Sequence, residues 1–330
     1  MRKYLVFIPG GLAACLGIAM AALSVKQPAH RPAPAITLER TQERIERGRY
    51  LYEQVAHCAG CHNERDWDKF SAPTQPGRTG AGFAFPEELG LPGKVVAPNL
   101  TSDRETGLGK WSDGEIVRAI REGVSRDGRA LFPFMPYSQY RSMSDEDVFS
   151  IVAYVRTLPA VRKQQPATEL NFPVSLLVKF EPKPVDGKVN PPPKSDRRAY
   201  GEYLVKMGNC IECHSQAEKG EIAGGKEFAG GREFPINGFV VRSANITPDE
   251  ETGIGKWSED RFVAKFKGYA NMNQGNAPKH TQANFTLMPW IEMASMPEED
   301  LRAIYMYLRT VKPVYNSVEV HPPLSLAQTQ

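Results

Sequence analysis

Apolar residues fall into two patterns along this chain. From Tyr4 to Val25 they run together for 22 residues behind Arg2 and Lys3, with no charge inside the run. A stretch of that length can cross a bilayer, and residues 1–25 read as an export or membrane-insertion segment. Three fates stay open for it: a retained anchor, a signal peptide cut near Ala19-Met20-Ala21, or a lipoprotein leader with Cys15 as the lipidated residue. Each puts the remainder outside the cytoplasm, in a bacterial periplasm, with a retained anchor tethering it to the inner membrane. Residues 26–41, with Pro28, Pro32 and Pro34, form a stiff tether.

Elsewhere the apolar positions recur at helical spacing. Ser144 is an N-cap with Asp147 at the capping-box position, and Val148, Ile151, Val152 and Val155 follow on one face until Pro159. Leu301, Ile304, Tyr305 and Leu308 repeat that pattern after Pro297. Ser112 with Glu115 opens a helix carrying Ile116, Val117 and Ile120 and stopping at Gly123; its counterpart carries Phe262, Val263 and Phe266 and stops at Gly268. No run alternates convincingly at period two, so the fold class is all-α.

These helices belong to an internal repeat. Gly48-Arg49-Tyr50-Leu51 matches Gly201-Glu202-Tyr203-Leu204. The strings from Asn99 to Asp103 and from Glu105 to Ser112 match those from Asn245 to Asp249 and from Glu251 to Ser258, at a constant offset of 146 positions. Phe134-Met135-Pro136-Tyr137 matches Leu287-Met288-Pro289-Trp290, with Met143 and Met296 eight positions further on. Two tandem domains follow, 42–163 and 196–330, joined by a proline-rich linker over 164–195. The apolar stretch Leu170, Phe172, Val174, Leu176, Leu177, Val178 and Phe180 is expected to pack across both domains, with membrane contact as the second reading of it.

The chemistry sits in two further matched strings, Cys58-Ala59-Gly60-Cys61-His62 and Cys210-Ile211-Glu212-Cys213-His214. On one helical turn, cysteines at i and i+3 share a face, where they can form thioethers with the vinyl groups of a c-type haem while the adjacent histidine meets the iron. Zinc knuckles or redox dithiols use the same Cys-x-x-Cys spacing, but would leave both histidines without a role. Two covalently attached haems are expected, held by Cys58, Cys61, Cys210 and Cys213, with His62 and His214 on the iron.

The sixth ligand must come from downstream. Met135 lies 73 positions after His62 and Met288 lies 74 after His214, each followed by proline, so these are the candidate thioether ligands. Met143 and Met296 read as core filler. His280, in the longer second loop, competes with Met288; His57 is expected near the surface or beside a haem propionate, and His321 in solvent. Trp111 and Trp257 are core residues or propionate donors. The acidic loops at Asp103 with Glu105 and at Asp249 with Glu250 and Glu251 lack the alternating ligands of a calcium loop and read as capped turns.

Composition adds two exclusions. The formal charge is +3 over 330 residues, which argues against a nucleic-acid partner. Four of the five cysteines belong to the two haem strings, so no structural disulfide is expected.

From about Arg47 to Val314 the chain resembles the class I cytochrome c domains of the multihaem subunits of membrane-bound alcohol, aldehyde and gluconate dehydrogenases. The resemblance rests on Cys-x-x-Cys-His together with Asn245-Ile246-Thr247-Pro248-Asp249, the string from Thr252 to Ser258, and Met288-Pro289-Trp290. It implies haem as the cofactor, and periplasmic transfer of electrons from a dehydrogenase toward a soluble cytochrome or terminal oxidase. Those subunits commonly carry three haem motifs and this chain carries two, which favours a relay over direct quinone chemistry. The alternative is a di-haem enzyme, such as a cytochrome c peroxidase or a thiosulfate dehydrogenase, which needs an open position on one iron.

Overall fold

The computed structural model describes residues 15, 18, 21–218 and 221–323. Most of the expected N-terminal segment lies outside them, and among the described residues no helix is long and apolar enough to cross a membrane. The helices are α1 (Gln42–Tyr50), continued by a π turn (Leu51–Val55), α2 (Cys58–His62), α3 (Asp113–Glu122), α4 (Tyr137–Tyr140), α5 (Asp145–Val155), α6 (Val174–Leu177), α7 (Arg197–Met207), α8 (Cys210–Cys213), α9 (Glu259–Lys267), α10 (Trp290–Met293) and α11 (Glu298–Leu308).

The caps are where the sequence puts them. Ser112 Oγ accepts from Glu115 N at 3.1 Å while Glu115 Oε2 accepts from Ser112 N at 2.7 Å, and Gly123 ends α3 with φ of 72°. Ser144 Oγ accepts from Asp147 N at 3.1 Å, but the Asp147 carboxylate leaves the capping box and turns to Arg47 and Tyr203.

Two helix pairs carry the packing, α1 against α5 and α7 against α11. Each crosses at a glycine. A Cβ on Gly48 would lie 1.8 Å from the Ser150 carbonyl oxygen, and one on Gly201 would lie 1.9 Å from that of Ala303. Only a residue without a side chain lets the backbones approach that closely.

The two pairs then interlock reciprocally. Tyr50 OH donates to Asp300 Oδ2 at 2.5 Å, and its counterpart Tyr203 OH donates to Asp147 Oδ2 at 2.6 Å. Each tyrosine follows its own crossing glycine and reaches the first-turn carboxylate of a helix in the other pair, as in an isologous contact built within one chain. Arg47 completes the Asp147 side with bonds of 2.8 and 3.0 Å, whereas Tyr200 and Lys194 take that place on Asp300. One continuous apolar core joins Leu51, Val55, Met143 and Ile151 to Leu204, Met207, Met296 and Leu301. Met143 and Met296 are fully buried in it.

The all-α expectation holds only in part, because short strands accompany the helices. Four antiparallel two-stranded pairs occur among the described residues, the longest joining Glu233–Ile236 to Phe239–Arg242. Its turn is Asn237-Gly238, with φ of 52° and 75°, and an Asn-Gly dipeptide between short apolar strands is the hairpin signal that helical periodicity hides. The pairs give loop backbone groups partners that no helix offers.

The linker also departs from expectation. It wraps the first domain: Glu169–Leu170 pair with Gly93–Lys94, Arg141 donates to the Lys183 and Pro184 carbonyls, and Val189 O accepts from Asp145 N. Val178 is buried, but Phe172, Leu177 and Phe180 point to solvent.

Candidate haem sites

Both Cys-x-x-Cys-His strings form one helical turn, α2 and α8, so Cys58 and Cys61, like Cys210 and Cys213, share a face. Each turn is entered through a left-handed residue, His57 at φ of 50° and Asn209 at 51°. That reversal lets the helix start straight after the preceding one. Cys58 and Cys210 lie against the apolar core, and burial pushes each thiol up to about 12. Such surroundings favour an uncharged sulfur, which a thioether is.

The histidines are oriented alike. His62 Nδ1 donates to the Pro98 carbonyl at 2.9 Å, and His214 Nδ1 donates to the Ala244 carbonyl at 2.8 Å. With Nδ1 carrying the proton, Nε2 of each ring is the free donor to a metal. Burial lowers the pKa of both rings and keeps them neutral, as a ligand must be. Gly82 N donates to His62 O and Gly230 N donates to His214 O, at 2.8 and 2.7 Å. A Cβ on Gly82 would lie 2.7 Å from the Ala97 carbonyl oxygen, so a glycine is what admits the orienting strand to the histidine. The donor set fits covalent haem c.

The loops that supply those carbonyls are held by matched asparagines. Asn99 Nδ2 donates to Val161 O and Asn245 Nδ2 donates to Val314 O, both at 2.8 Å. Asp103 and Asp249 accept from Thr106 N and Thr252 N, each at 2.7 Å, so the acidic loops are closed turns. The sequence showed Asn99 and Asn245 only as repeat markers. Their neighbours Pro98 and Ala244, which orient the rings through main-chain atoms, carried no side-chain signal.

Met135 and Met288 are half-buried, and Met288 packs against the core. Trp111 and Trp257 are half-buried against that core, with Arg261 over the Trp257 ring at 4.6 Å. His280 packs edge-on to Phe239 at 4.4 Å. His321 is half-buried with Nδ1 shielded, contrary to its expected exposure.

Sequence reasoning missed the clamp that joins the two sites. Buried Arg65 donates to the Gly60, Ser71 and Ala72 carbonyls, fixing the loop after His62. From that loop Ser71 Oγ donates to Met288 O at 2.9 Å, Phe70 N donates to Pro278 O at 2.8 Å, and Phe70 stacks on Tyr269 at 5.4 Å.

His57 is also corrected. Its ring lies over Gly60, where a Cβ would be 2.3 Å away, and its Nε2 is enclosed without a partner. Burial lowers its pKa from 6.5 to about 3. The unfolded chain therefore takes the proton first: the stability is full above about pH 6.5 and falls as pH drops toward 3, by up to about 1.4 kcal/mol per unit. His57→Asn, which copies Asn209, should flatten that slope. Urea midpoints of the holoprotein at pH 7 and pH 4.5 check it; equal losses in both proteins would refute the assignment.

Residues 45–159 match the family model of cytochrome c. The chain is 32% identical over 281 residues to a nicotinate dehydrogenase subunit from Pseudomonas putida, covering 81% of this chain and 21% of that protein. It is 28% identical over 293 residues to the fructose dehydrogenase cytochrome subunit of Gluconobacter japonicus, covering 86% and 53%. A diheme cytochrome c-type protein of Cereibacter sphaeroides is 27% identical over 266 residues, covering 77% and 81%. The chain thus spans about a fifth and about half of the first two relatives. Through the matched family model, residues 45–159 carry a cytochrome c domain, a type whose cofactor is covalent haem c, and over most of its length the chain resembles the cytochrome c subunits of dehydrogenases and a diheme cytochrome c.

Proposed function

We propose that the chain is a di-haem electron carrier of the periplasm, with one haem in each of the domains 42–163 and 196–330. Its donor is a dehydrogenase, its acceptor a cytochrome or oxidase, and residues 1–25 tether it to the inner membrane. The observation that carries this is the duplicated histidine geometry, Nδ1 engaged at 2.9 and 2.8 Å and Nε2 free in both copies. Cys58, Cys61, Cys210 and Cys213 hold the haems, and His62, Met135, His214 and Met288 ligate iron. Trp111 and Trp257 are the candidate propionate contacts. A methionine on each iron excludes substrate and raises the potential.

The two attachment sites adjoin across the domain seam. A Cβ on Gly208, two residues before Cys210, would lie 3.4 Å from the carbonyl oxygen of Val55, three residues before Cys58. That placement supports transfer between haems inside one chain.

The test is carbon monoxide binding to the reduced holoprotein, with the Met-to-iron charge-transfer band of the oxidised form. Refusal of carbon monoxide and two bands are expected; prompt binding at one haem would point to a di-haem enzyme instead. The Ser71 bond across the seam gives a finer expectation. Ser71→Gly removes the hydroxyl while suiting the backbone φ of 62°. In spectroelectrochemical titration the second haem's potential should shift and the first should stay put. Two unchanged potentials would show that the bond does not tune the ligand loop.

A further inference from the structure

Seven large apolar side chains stand exposed among the described residues. Five of them belong to just two segments: Ile18 and Val25 of the N-terminal run, and Phe172, Leu177 and Phe180 of the linker. Those segments touch. Lys179 Nζ donates to the Ser24 carbonyl at 2.6 Å and to that of Leu23 at 3.3 Å, and Lys26 Nζ sits 4.7 Å above the Phe180 ring.

The linker turn does not carry its apolar residues outward for want of anchoring. On one side Asn171 N donates to Pro92 O at 2.9 Å, on the other Arg141 donates to Lys183 O at 2.6 Å and to Pro184 O at 2.9 Å, and Val178 is buried between. A turn held this way presents Phe172, Leu177 and Phe180 as a fixed surface. Lys26 and Lys179 lie at this surface, and in the sequence that leaves it Lys183 and Lys188 stand with Glu181 and Asp186, the last of which is paired with Arg31. Apolar side chains rimmed by lysine suit the interface of an anionic bilayer, where rings and alkyl chains enter the acyl boundary and ammonium groups stay among headgroups.

We propose that the turn 172–180, together with residues 21–26, is a second membrane contact, seated on the bilayer that receives the N-terminal run. Phe172, Leu177 and Phe180 insert; Lys26 and Lys179 lie at headgroup level. The chain's own apolar residues 4–25 lead directly to this surface, which is what selects lipid over a second protein as its cover. A tether alone would leave the haem domains free to turn, and a second contact fixes how they face the membrane. The proposal rests on the tethered reading above.

Full-length holoprotein with Cys15→Ser and Leu177→Cys, labelled at position 177 with an environment-sensitive fluorophore, is placed in vesicles of phosphatidylglycerol and phosphatidylethanolamine. Glu250→Cys in the same background serves as the control. Lipid nitroxide is expected to quench position 177 at least twofold more than position 250, with iodide protection only at 177. Equal iodide quenching at both positions in vesicles that float with protein would overturn the contact and leave the tether standing. Protein that does not float would overturn both. Protection of position 177 without vesicles would overturn it in favour of a second copy of the chain.

Discussion

Replacing Gly48 or Gly201 with alanine is expected to cost about 3 kcal/mol or more of stability, a large share of what a domain has. The added carbon meets backbone, not a flexible side-chain end: at Gly48 it lies 1.8 Å from Ser150 O and 2.8 Å from Tyr154 Cβ, and at Gly201 it lies 1.9 Å from Ala303 O. The helices must separate, and with them go the reciprocal bonds of Tyr50 to Asp300 and Tyr203 to Asp147, since each tyrosine sits one turn or less beyond its glycine. Damage at one crossing therefore reaches the other. Gly224 is the control, because nothing lies within 4 Å of its Cβ position; there alanine should be neutral or slightly stabilising. Thermal unfolding of the three variants as holoproteins decides the matter. A Gly48→Ala midpoint equal to that of Gly224→Ala would mean that the crossing relaxes freely.

Leucine in place of either methionine should change the haem chemistry as much as the glycine variants change the fold. Leucine keeps the volume and removes the thioether, so an iron that depends on Met135 or Met288 loses its soft, neutral ligand and its potential falls. Met135→Leu and Met288→Leu should each abolish one charge-transfer band and open one haem in two to carbon monoxide; the double variant should open both. If Met288→Leu keeps both bands, the ligand lies elsewhere, and His280, which precedes Met288 in the same loop and packs against Phe239 of the hairpin, is the first residue to replace.

Much of this was legible in the sequence because it is local. A cap such as Ser112 and a stop such as Gly123 act within one turn of helix, and Cys-x-x-Cys-His needs only a single turn to bring its cysteines to one face. The repeat added register, which singled out Met135 and Met288. Misreadings arose where a contact joins distant segments or goes through the main chain. The Asn237-Gly238 hairpin escaped a search for alternation because its strands are four residues each. Phe172 and Leu177 looked like core by composition, yet the linker folds onto the first domain and leaves them outside.

By itself, then, the sequence determined the short-range matters: helix ends, the cysteine face, the candidate haem-ligating histidines and the repeat of the motifs. Only the tertiary structure decided that Pro98 and Ala244 orient those histidines, that Ser71 of one half bonds to Met288 of the other, and that the tyrosine–aspartate pairs cross between halves. The physical reason is that carbonyl oxygens and glycine clearances look the same at every position of a sequence. They acquire a role only when folding sets them within about 3 Å of a particular donor.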